Sequence, residues 1–179
     1  MALDSFRRDD SGFSPAFFSD GGPAVVTEED LNDLVHVAED TRTSARICLF
    51  DDPNSSLHVM IIAQVIGMDS KPRVLATKPK YFQPVRGRLA LVQLDLEGVV
   101  TYRSLLSPGR QIAALVPPRT PYVDMPLDDV TVHVETTLGP HDRIADRHFP
   151  RFPWDSGADA RRAWRQAQIS AVIEEDRAR

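Results

Sequence analysis

The residues with the clearest capacity for chemistry lie in a basic stretch, residues 71–94, that contains no Asp or Glu. The chain as a whole is acidic, with a net charge of −5. The positive side chains of the stretch are Lys71, Arg73, Lys78, Lys80, Arg86 and Arg88. Arginine offers a planar fork of N–H donors to a carboxylate or phosphate, and lysine adds a point charge. The stretch therefore predicts contact with an anion, either an acidic side chain of this chain or an acidic small molecule.

The composition of the chain excludes several classes of protein. The chain has 179 residues, of which 42% are hydrophobic and 26% charged, as in a soluble globular domain. Its acidic balance argues against a nucleic-acid-binding protein. The single cysteine, Cys48, excludes an intramolecular disulfide and a Cys-rich zinc site. No apolar run approaches the ~20 residues of a membrane span, and the polar N-terminus lacks a signal core, so we expect a cytoplasmic protein.

Three regions are predicted along the chain. Residues 1–23 resemble an arm, rich in Ser, Asp, Gly and Pro, yet they hold half of the phenylalanines: Phe6, Phe13, Phe17 and Phe18. These rings either pack onto the domain or dock on a partner subunit. Residues 24–155 form the central domain, and residues 156–179 form a C-terminal helix.

Within the central domain, a helix precedes a series of strands. Thr27 is a suitable N-cap, acidic residues follow it, and apolar residues recur at helical spacing until about Asp40. Between Arg46 and about Glu135, short apolar or alternating runs are separated by turn residues at intervals of roughly ten. This pattern predicts an all-β sandwich or barrel. A strap rich in Pro and aromatic residues follows over 140–155.

The C-terminal helix is predicted to begin at a capping box over residues 156–159. Its apolar positions, expected to be buried, are Ala160, Ala163, Trp164, Ala167, Val172 and Ile173. The intervening charged positions, expected to be solvated, are Arg161, Arg162, Arg165, Glu174 and Glu175. The helix packs either on its own barrel or on a neighbouring chain.

Two sets of residues have the spacing of known motifs. The first cupin motif is glycine, five residues, His-x-His, four residues, Glu, six residues, glycine. Its positions here are Gly67, Arg73, Leu75, Lys80 and Gly87. The second motif is Pro-x-Gly, two residues, His, three residues, Asn. Its positions here are Pro117, Arg119, Tyr122 and Pro126.

With these motifs the chain resembles the cupin superfamily and, within it, the WbuC-like family found in surface-polysaccharide gene clusters. The resemblance covers about residues 25–155 and includes the stretches RICLFDDPNSSLHVMIIA, KPKYFQPVRGRLALVQLDLEGVVT, VPPRTPYVDMPLDD, ETTLGP and FPWD. It implies a cupin-type β-barrel (jelly roll), and a homodimer as the expected assembly. Together with the helices read from the residues, the predicted fold is all-β, with an N-terminal helix and a C-terminal helix that lies outside the resemblance.

The resemblance also implies where a metal would be bound, and the residues there are unsuitable. The positions of the family's ligands carry Arg73, Leu75, Lys80 and Tyr122. Cations repel a divalent metal and leucine has no donor atom, so we expect no metal and no other cofactor. The alternative is a relocated metal site that uses His58 or His133.

By the same resemblance, Arg73, Lys80 and Tyr122 line the barrel interior, where a cation needs an anionic partner. Asp124 shares the face of Tyr122, and Glu135 lies on another strand. An internal Arg73–Asp124 or Lys80–Glu135 pair is one reading. The other is an anionic ligand held by Arg73 and Lys80, with Asp124 beside it and Tyr122 as the acid–base group. A Schiff base on the pocket lysine is a third reading.

Two functions follow from these readings. The first is a metal-independent cupin that binds a small anionic metabolite, such as a sugar nucleotide or a carboxylate, and acts as an isomerase- or epimerase-type biosynthetic enzyme. The second is a pseudoenzyme that serves as a structural or regulatory subunit through its arm and C-terminal helix. A metal-dependent enzyme with a relocated site is a further alternative. Neither nucleic acid nor a membrane is expected as a partner.

Overall fold

The computed structural model describes residues 2–68, 71–140 and 157–178, which form ten strands and two α-helices after a short N-terminal 3-10 turn. The helices are α1 (Glu28–Thr41) and α2 (Ala158–Arg177). The strands are β1 (Arg7–Asp9), β2 (Ala16–Phe18), β3 (Ala45–Cys48), β4 (Leu57–Val65), β5 (Lys80–Arg86), β6 (Leu89–Leu94), β7 (Val100–Leu106), β8 (Ala114–Val116), β9 (Tyr122–Pro126) and β10 (Val130–Leu138).

The strands form a large and a small sheet. The large sheet has the order β1-β2-β3-β4-β10-β5-β8, and the small sheet has the order β7-β6-β9. Within the large sheet, β10 pairs antiparallel with β4 on one side and with β5 on the other. Arg73 belongs to no strand and forms an isolated bridge with Tyr122 of β9.

Four layers follow from the hydrophobic clusters. Helix α1 covers the outer face of the large sheet, through contacts of Leu31 and Leu34 with Ile47 and Ala63. The inner faces of the two sheets enclose a second cluster that includes Phe82, Leu91 and Tyr122. Helix α2 covers the outer face of the small sheet, where Val172 packs with Val92 and Met125. The two sheets thus pack on each other through their inner faces, and each carries a helix on its outer face.

The predicted mainly β fold with an N-terminal and a C-terminal helix is confirmed. Closure into a barrel is not, because the described strands form two separate sheets. Both glycines of the first motif lie at turns with positive φ, 79° for Gly67 and 75° for Gly87. A side chain is disfavoured at such a backbone conformation. Among the described residues, no helix is long and apolar enough to cross a membrane.

The predicted start of α1 at Thr27 is confirmed. The Thr27 side chain accepts a hydrogen bond from the Asp30 amide, and the Asp30 carboxylate accepts one from the Thr27 amide. This reciprocal capping box satisfies two backbone donors that a helix start leaves unpaired.

The N-terminal segment differs from the arm that we expected over residues 1–23. Its strand β2 pairs parallel with β3, so it extends the large sheet. Phe6, Phe17 and Phe18 are buried, and only Phe13 of the four rings is exposed. Strands of three residues are too short to show a period in the sequence, so the segment looked irregular. The three buried rings pack onto this chain, which is one of the two alternatives that the sequence left open.

Helix α2 packs on its own chain, which is one of the two alternatives that the sequence left open. Two of its predicted apolar positions are confirmed, because Val172 is buried and Trp164 packs against the same cluster. The other assignments differ: Arg165 is buried, whereas Ala160, Ala163 and Ala167 are exposed. Polar residues complete the covered face, since Gln168 accepts hydrogen bonds from Arg103 of β7 and the buried Asp176 accepts one from Arg110. Apolar periodicity alone therefore located only part of the buried face.

Some predictions lie outside the described residues. The strap falls there from residue 141 onward, together with FPWD, His141 and His148. The predicted capping box at residues 156–159 is only partly described, because Ser156 also falls outside. The N-cap residue of α2 is Gly157, which provides no side-chain hydrogen bond.

Candidate functional site

A group of buried polar side chains lies between the two sheets and includes every predicted site residue. Bonds between the backbones of Arg73 and Tyr122, both 2.9 Å, fix that pair. Lys80 begins β5, Asp124 lies in β9, and His133 and Glu135 lie two residues apart on one face of β10. We call this group the charged cluster; its members are Arg73, Lys80, Tyr122, Asp124, His133 and Glu135.

The strand register explains how Lys80 meets Glu135. Thr137 of β10 is the direct partner of Lys80, and Glu135 is the direct partner of Phe82. Lys80 and Glu135 are therefore diagonal neighbours on the inner face, a separation that a long side chain spans. The Lys80 ammonium lies 2.5 Å from a Glu135 carboxylate oxygen.

Arg73 connects the other acidic residue to the same cluster. One of its terminal nitrogens lies 2.6 Å from Asp124 Oδ1 and 3.4 Å from Glu135 Oε1. Its Nε donates to the Tyr122 hydroxyl at 3.0 Å, and its guanidinium carbon lies 5.1 Å from the centre of the Tyr122 ring. Both pairs that the sequence left open, Arg73–Asp124 and Lys80–Glu135, are thus formed.

The cluster is electrically balanced. Two cations face two carboxylates. This pairing favours the charged forms of Arg73, Lys80 and Glu135, as the shifts of their pKa values show. Burial by itself would lower the pKa of Lys80, but attraction to Glu135 outweighs it and raises that pKa above its ordinary value. Burial would likewise raise the pKa of Glu135, yet Lys80, His133 and Arg73 together hold it well below its ordinary value.

The same balance applies to Arg73. Burial opposes its charge, whereas Asp124, Tyr122 and Glu135 favour it more strongly, so the pKa of Arg73 is raised. Its side chain is 24% exposed, against 2% for Asp124 and 5% for Glu135. Arg73 is therefore the member that lies nearest to solvent.

Tyr122, our candidate acid–base residue, is held by packing. It is 1% exposed and belongs to the hydrophobic cluster between the sheets. Its ring makes an edge contact with Phe82 at 5.5 Å between centroids. The Tyr122 hydroxyl accepts a hydrogen bond from Arg73 and lies deeper between the sheets than the guanidinium. A ligand that enters from solvent would therefore contact Arg73 before Tyr122.

The residues at the motif positions do not fit a metal. Leu75 has no donor atom, and Arg73 and Lys80 carry positive charge. The structure does bring together three groups of metal-binding type, Asp124, His133 and Glu135, with ligand atoms within 4.8 Å of one another. Their carboxylates, however, already hold the two cations, which a divalent ion would have to displace. The Lys80 ammonium and the Arg73 guanidinium thus bind the carboxylates that a metal ion would otherwise bind.

The two histidines of the relocated-site alternative have different positions. His133 is fully buried, with Nε2 at 3.4 Å from Glu135 and with Nδ1 lacking any hydrogen-bond partner among the described residues. His58 lies outside the cluster and stacks on Phe50 at 4.2 Å between ring centroids. The sequence analysis considered His133 only for a relocated metal site, and its spacing of two residues from Glu135 on one strand is the signal that would have placed it in the cluster.

The remaining positive side chains of the basic stretch are outside the cluster. Arg86 pairs with Glu28 of α1, and Arg88 pairs with Asp128 at 2.6 Å. Lys71 is exposed, and Lys78 donates to the backbone oxygen of Pro140. Only Arg73 and Lys80 therefore point between the sheets. Cys48 is also unreactive, because burial raises the pKa of its thiol to about 11.

Comparisons with known proteins identify the fold. No protein-family model matches the chain, and no curated protein matches it. CapF bound to the inhibitor 3-isopropenyl-tropolone matches with a TM-score of 0.51 and 15% identity, over 60% of this chain and 32% of that chain. CapF from Staphylococcus aureus, a capsular polysaccharide assembling protein, gives the same TM-score of 0.51 at 15% identity, over 60% of this chain and 32% of that one. KdgF from Halomonas sp. has 16% identity and a TM-score of 0.44, over 57% of this chain and 84% of that one.

At this level of identity, the CapF structures are informative about the fold alone. The match spans about a third of the length of CapF, 32% of that chain. The likeness agrees with the arrangement of two packed sheets. The chain therefore has a cupin-type fold.

Proposed function

We propose that this protein is a metal-independent cupin that acts as a structural or regulatory subunit and not through a metal-centred reaction. The charged cluster is the observation that carries the proposal. Lys80 lies 2.5 Å from Glu135, and Arg73 lies 2.6 Å from Asp124. Because two positive and two negative charges cancel, no net charge remains for binding an anion or a metal ion.

The cluster takes over the structural task of a metal. A divalent ion would hold carboxylate and imidazole groups of both sheets together. Here Arg73 connects Asp124 of the small sheet with Glu135 of the large sheet, and Lys80 completes the partners of Glu135. Removing one partner of such a buried pair is costly, because it leaves the other charge without a counter-charge. A ligand that displaced one partner would meet this cost, so the cluster is better suited to holding the sheets together than to binding a ligand.

We place the subunit in carbohydrate metabolism. CapF, which shares the fold, is described as a capsular polysaccharide assembling protein. The sequence resemblance to the WbuC-like cupins points to the same setting. Both are likenesses, and the assignment of this chain to polysaccharide biosynthesis is part of the proposal.

A second function, binding of a small anionic metabolite, is favoured by one feature of Arg73. Its side chain is 24% exposed, and Nη1 makes no hydrogen bond to a described residue. A carboxylate or phosphate oxygen could accept a bond there without displacing Asp124. Arg73→Ala should then abolish the retention of a co-purifying anion, while Arg88→Ala, which removes an exposed arginine, should leave it unchanged.

Elemental analysis and native mass spectrometry of the full-length protein test the first function. We expect no stoichiometric metal in protein purified without chelators. Stoichiometric iron, zinc, nickel or manganese would contradict the proposal. Light scattering of the same sample tests the subunit role. A dimer or a larger assembly agrees with it, and a monomer at all concentrations with no co-purifying partner contradicts it.

A further inference from the structure

A second region between the sheets has a different chemistry. It is a cleft of about 410 Å³, a size within the range of roughly 300–1,000 Å³ that is typical of small-molecule sites. We call it the Gln93 cleft. Its lining includes Gln93 of β6, Tyr102 and Ser104 of β7, and Gln111, Leu115 and Pro117 around β8. It shares no lining residue with the charged cluster.

Gln93 and Tyr102 form the polar floor of the cleft. They are direct partners in the register of β6 and β7, so their side chains project to the same side of the small sheet. Tyr102 is 46% exposed although it lies on a strand. Neither the Gln93 amide nor the Tyr102 hydroxyl makes a hydrogen bond to another described residue. Both groups can donate and accept, and both are open to a ligand.

The part of the lining next to Tyr102 is held in place by hydrogen bonds. The Ser104 hydroxyl donates to the Gln111 side-chain oxygen at 3.2 Å, and the Gln111 amide nitrogen donates to Asp176 of α2 at 3.2 Å. This arrangement fixes the Gln111 amide before any ligand arrives. A polar wall that is already ordered reduces the entropy lost on binding.

The lining carries no ionisable Asp, Glu, Lys, Arg or His among the described residues. A charged ligand would therefore be desolvated without a counter-charge. A ligand that suits this wall is neutral, and it donates and accepts hydrogen bonds at several points. It also has an apolar face for the Tyr102 ring and for Leu115, which is 59% exposed.

We infer that the Gln93 cleft binds a neutral saccharide, with Tyr102 stacking on a sugar face and Gln93 bonding its hydroxyl groups. This site goes beyond the proposed function, because it does not use the charged cluster. Arg73 and Lys80 contribute nothing to it. A failure of saccharide binding would leave the metal-independent cluster untouched, and a metal found in the cluster would leave the cleft untouched.

Ligand-observed saturation-transfer NMR on the full-length protein provides the test. The probes are D-glucose, D-galactose and N-acetyl-D-glucosamine, with D-glucuronate as a charged counterpart. We expect transfer to at least one neutral sugar and weaker transfer to glucuronate. Tyr102→Ala should raise the Kd by about tenfold or more, and Gln93→Ala should raise it by a smaller factor.

Matched controls separate a local effect from a global one. Gln83→Ala removes the same type of side chain as Gln93→Ala from β5, outside the cleft, and should leave the Kd unchanged. Circular dichroism confirms folding of each variant. The inference is overturned if no neutral sugar shows transfer, if glucuronate binds best, or if folded Tyr102→Ala binds as tightly as the unchanged protein.

Discussion

The charged cluster and the Gln93 cleft lie between the same two sheets, but their polar groups are used in opposite ways. In the cluster, carboxylates and cations bond one another at 2.5 and 2.6 Å and are nearly all buried. In the cleft, Gln93 and Tyr102 have no described partner, and Tyr102 is 46% exposed. The charged region therefore has its cations and carboxylates paired within the chain, and the uncharged region keeps its hydrogen-bonding capacity for a ligand. Charge density alone does not locate a binding site.

The largest expected effect comes from removing the shared acid of the cluster. Glu135→Gln leaves the buried Lys80 ammonium without its carboxylate, and breaking such a pair costs about 3–5 kcal/mol. The free energy of unfolding, measured by urea titration, should fall by that amount. Glu97→Gln, on an exposed turn, should change it little. Equal losses in the two variants would remove the distinction that we draw between cluster and surface.

Replacing the whole pair should reverse most of this loss. In Lys80→Met/Glu135→Leu, neither charge remains buried, and apolar replacements of a buried ion pair are often neutral or stabilising. We expect the double variant to be more stable than Glu135→Gln by about 2–4 kcal/mol. Arg73 still has Asp124 as a partner in this variant. A double variant that is no more stable than the single variant would show that Lys80 and Glu135 do not act as a pair.

Removing both cations of the cluster should let a metal bind between the sheets. Arg73→Ala/Lys80→Ala deletes the two positive groups that lie against Asp124 and Glu135, and it leaves the cluster of Asp124, His133 and Glu135, whose ligand atoms lie within 4.8 Å of one another. A bound ion then satisfies the freed carboxylates, so Zn²⁺ or Mn²⁺ should bind to the variant and raise its Tm. The same titration on Arg73→Ala/Lys80→Ala/His133→Ala is the control. Equal metal binding by the unchanged protein would refute the view that Arg73 and Lys80 occupy the site.

Acid should weaken the cluster in a defined range of pH. The pKa of Glu135 in the folded protein lies well below its ordinary value of 4.5. Its stabilising contribution is therefore complete above that value and is lost as the pH falls through the lower, folded-state pKa. The pKa of Lys80 is raised above 10.5, so its contribution is lost only as the pH rises beyond that value. Glu135→Gln should flatten the acid limb of a plot of urea midpoint against pH. If the acid limb of Glu135→Gln is unchanged, the loss of stability at low pH comes from other carboxylates.

The smallest effect is expected at the surface pair of the basic stretch. Arg88 bonds Asp128 at 2.6 Å, but both side chains are substantially exposed, 49% and 35%. Exposed pairs contribute about 0–1 kcal/mol, so Arg88→Ala should lower the free energy of unfolding by no more than that. Urea titration at low and high salt measures it. A loss as large as that of Glu135→Gln would show that burial does not separate the two pairs.

Much of the fold could be predicted from the sequence, because its signals are local. The Thr27 cap and the alternation of β10 each depend on a few neighbouring residues. Strands β1 and β2 could not be predicted, since three-residue strands have no measurable period. The buried face of α2 was predicted only in part, because polar residues such as Gln168 and Asp176 complete it through specific hydrogen bonds.

The charged cluster was predictable as a set of residues but not as a pattern of contacts. Motif spacing brought Arg73, Lys80 and Tyr122 together, and alternation added Asp124. Whether the cations meet internal acids or a ligand depends on angstrom-scale separations across three strands. The Gln93 cleft gave no sequence signal at all, because Gln, Tyr and Ser on a strand are ordinary surface residues until the neighbouring β8 segment encloses them.

The side chain of Gln111 has a consequence for communication across the molecule. Its oxygen bonds Ser104 at the wall of the cleft, and its nitrogen bonds Asp176 in the last turn of α2. A molecule that moves Gln111 must therefore alter a hydrogen bond to the C-terminal helix. By linkage, a change at the helix alters binding in the cleft by the same coupling free energy. A fluorophore attached to the end of α2 would thus report a ligand that displaces the Gln111 side chain, and it would stay silent for one that leaves both hydrogen bonds in place.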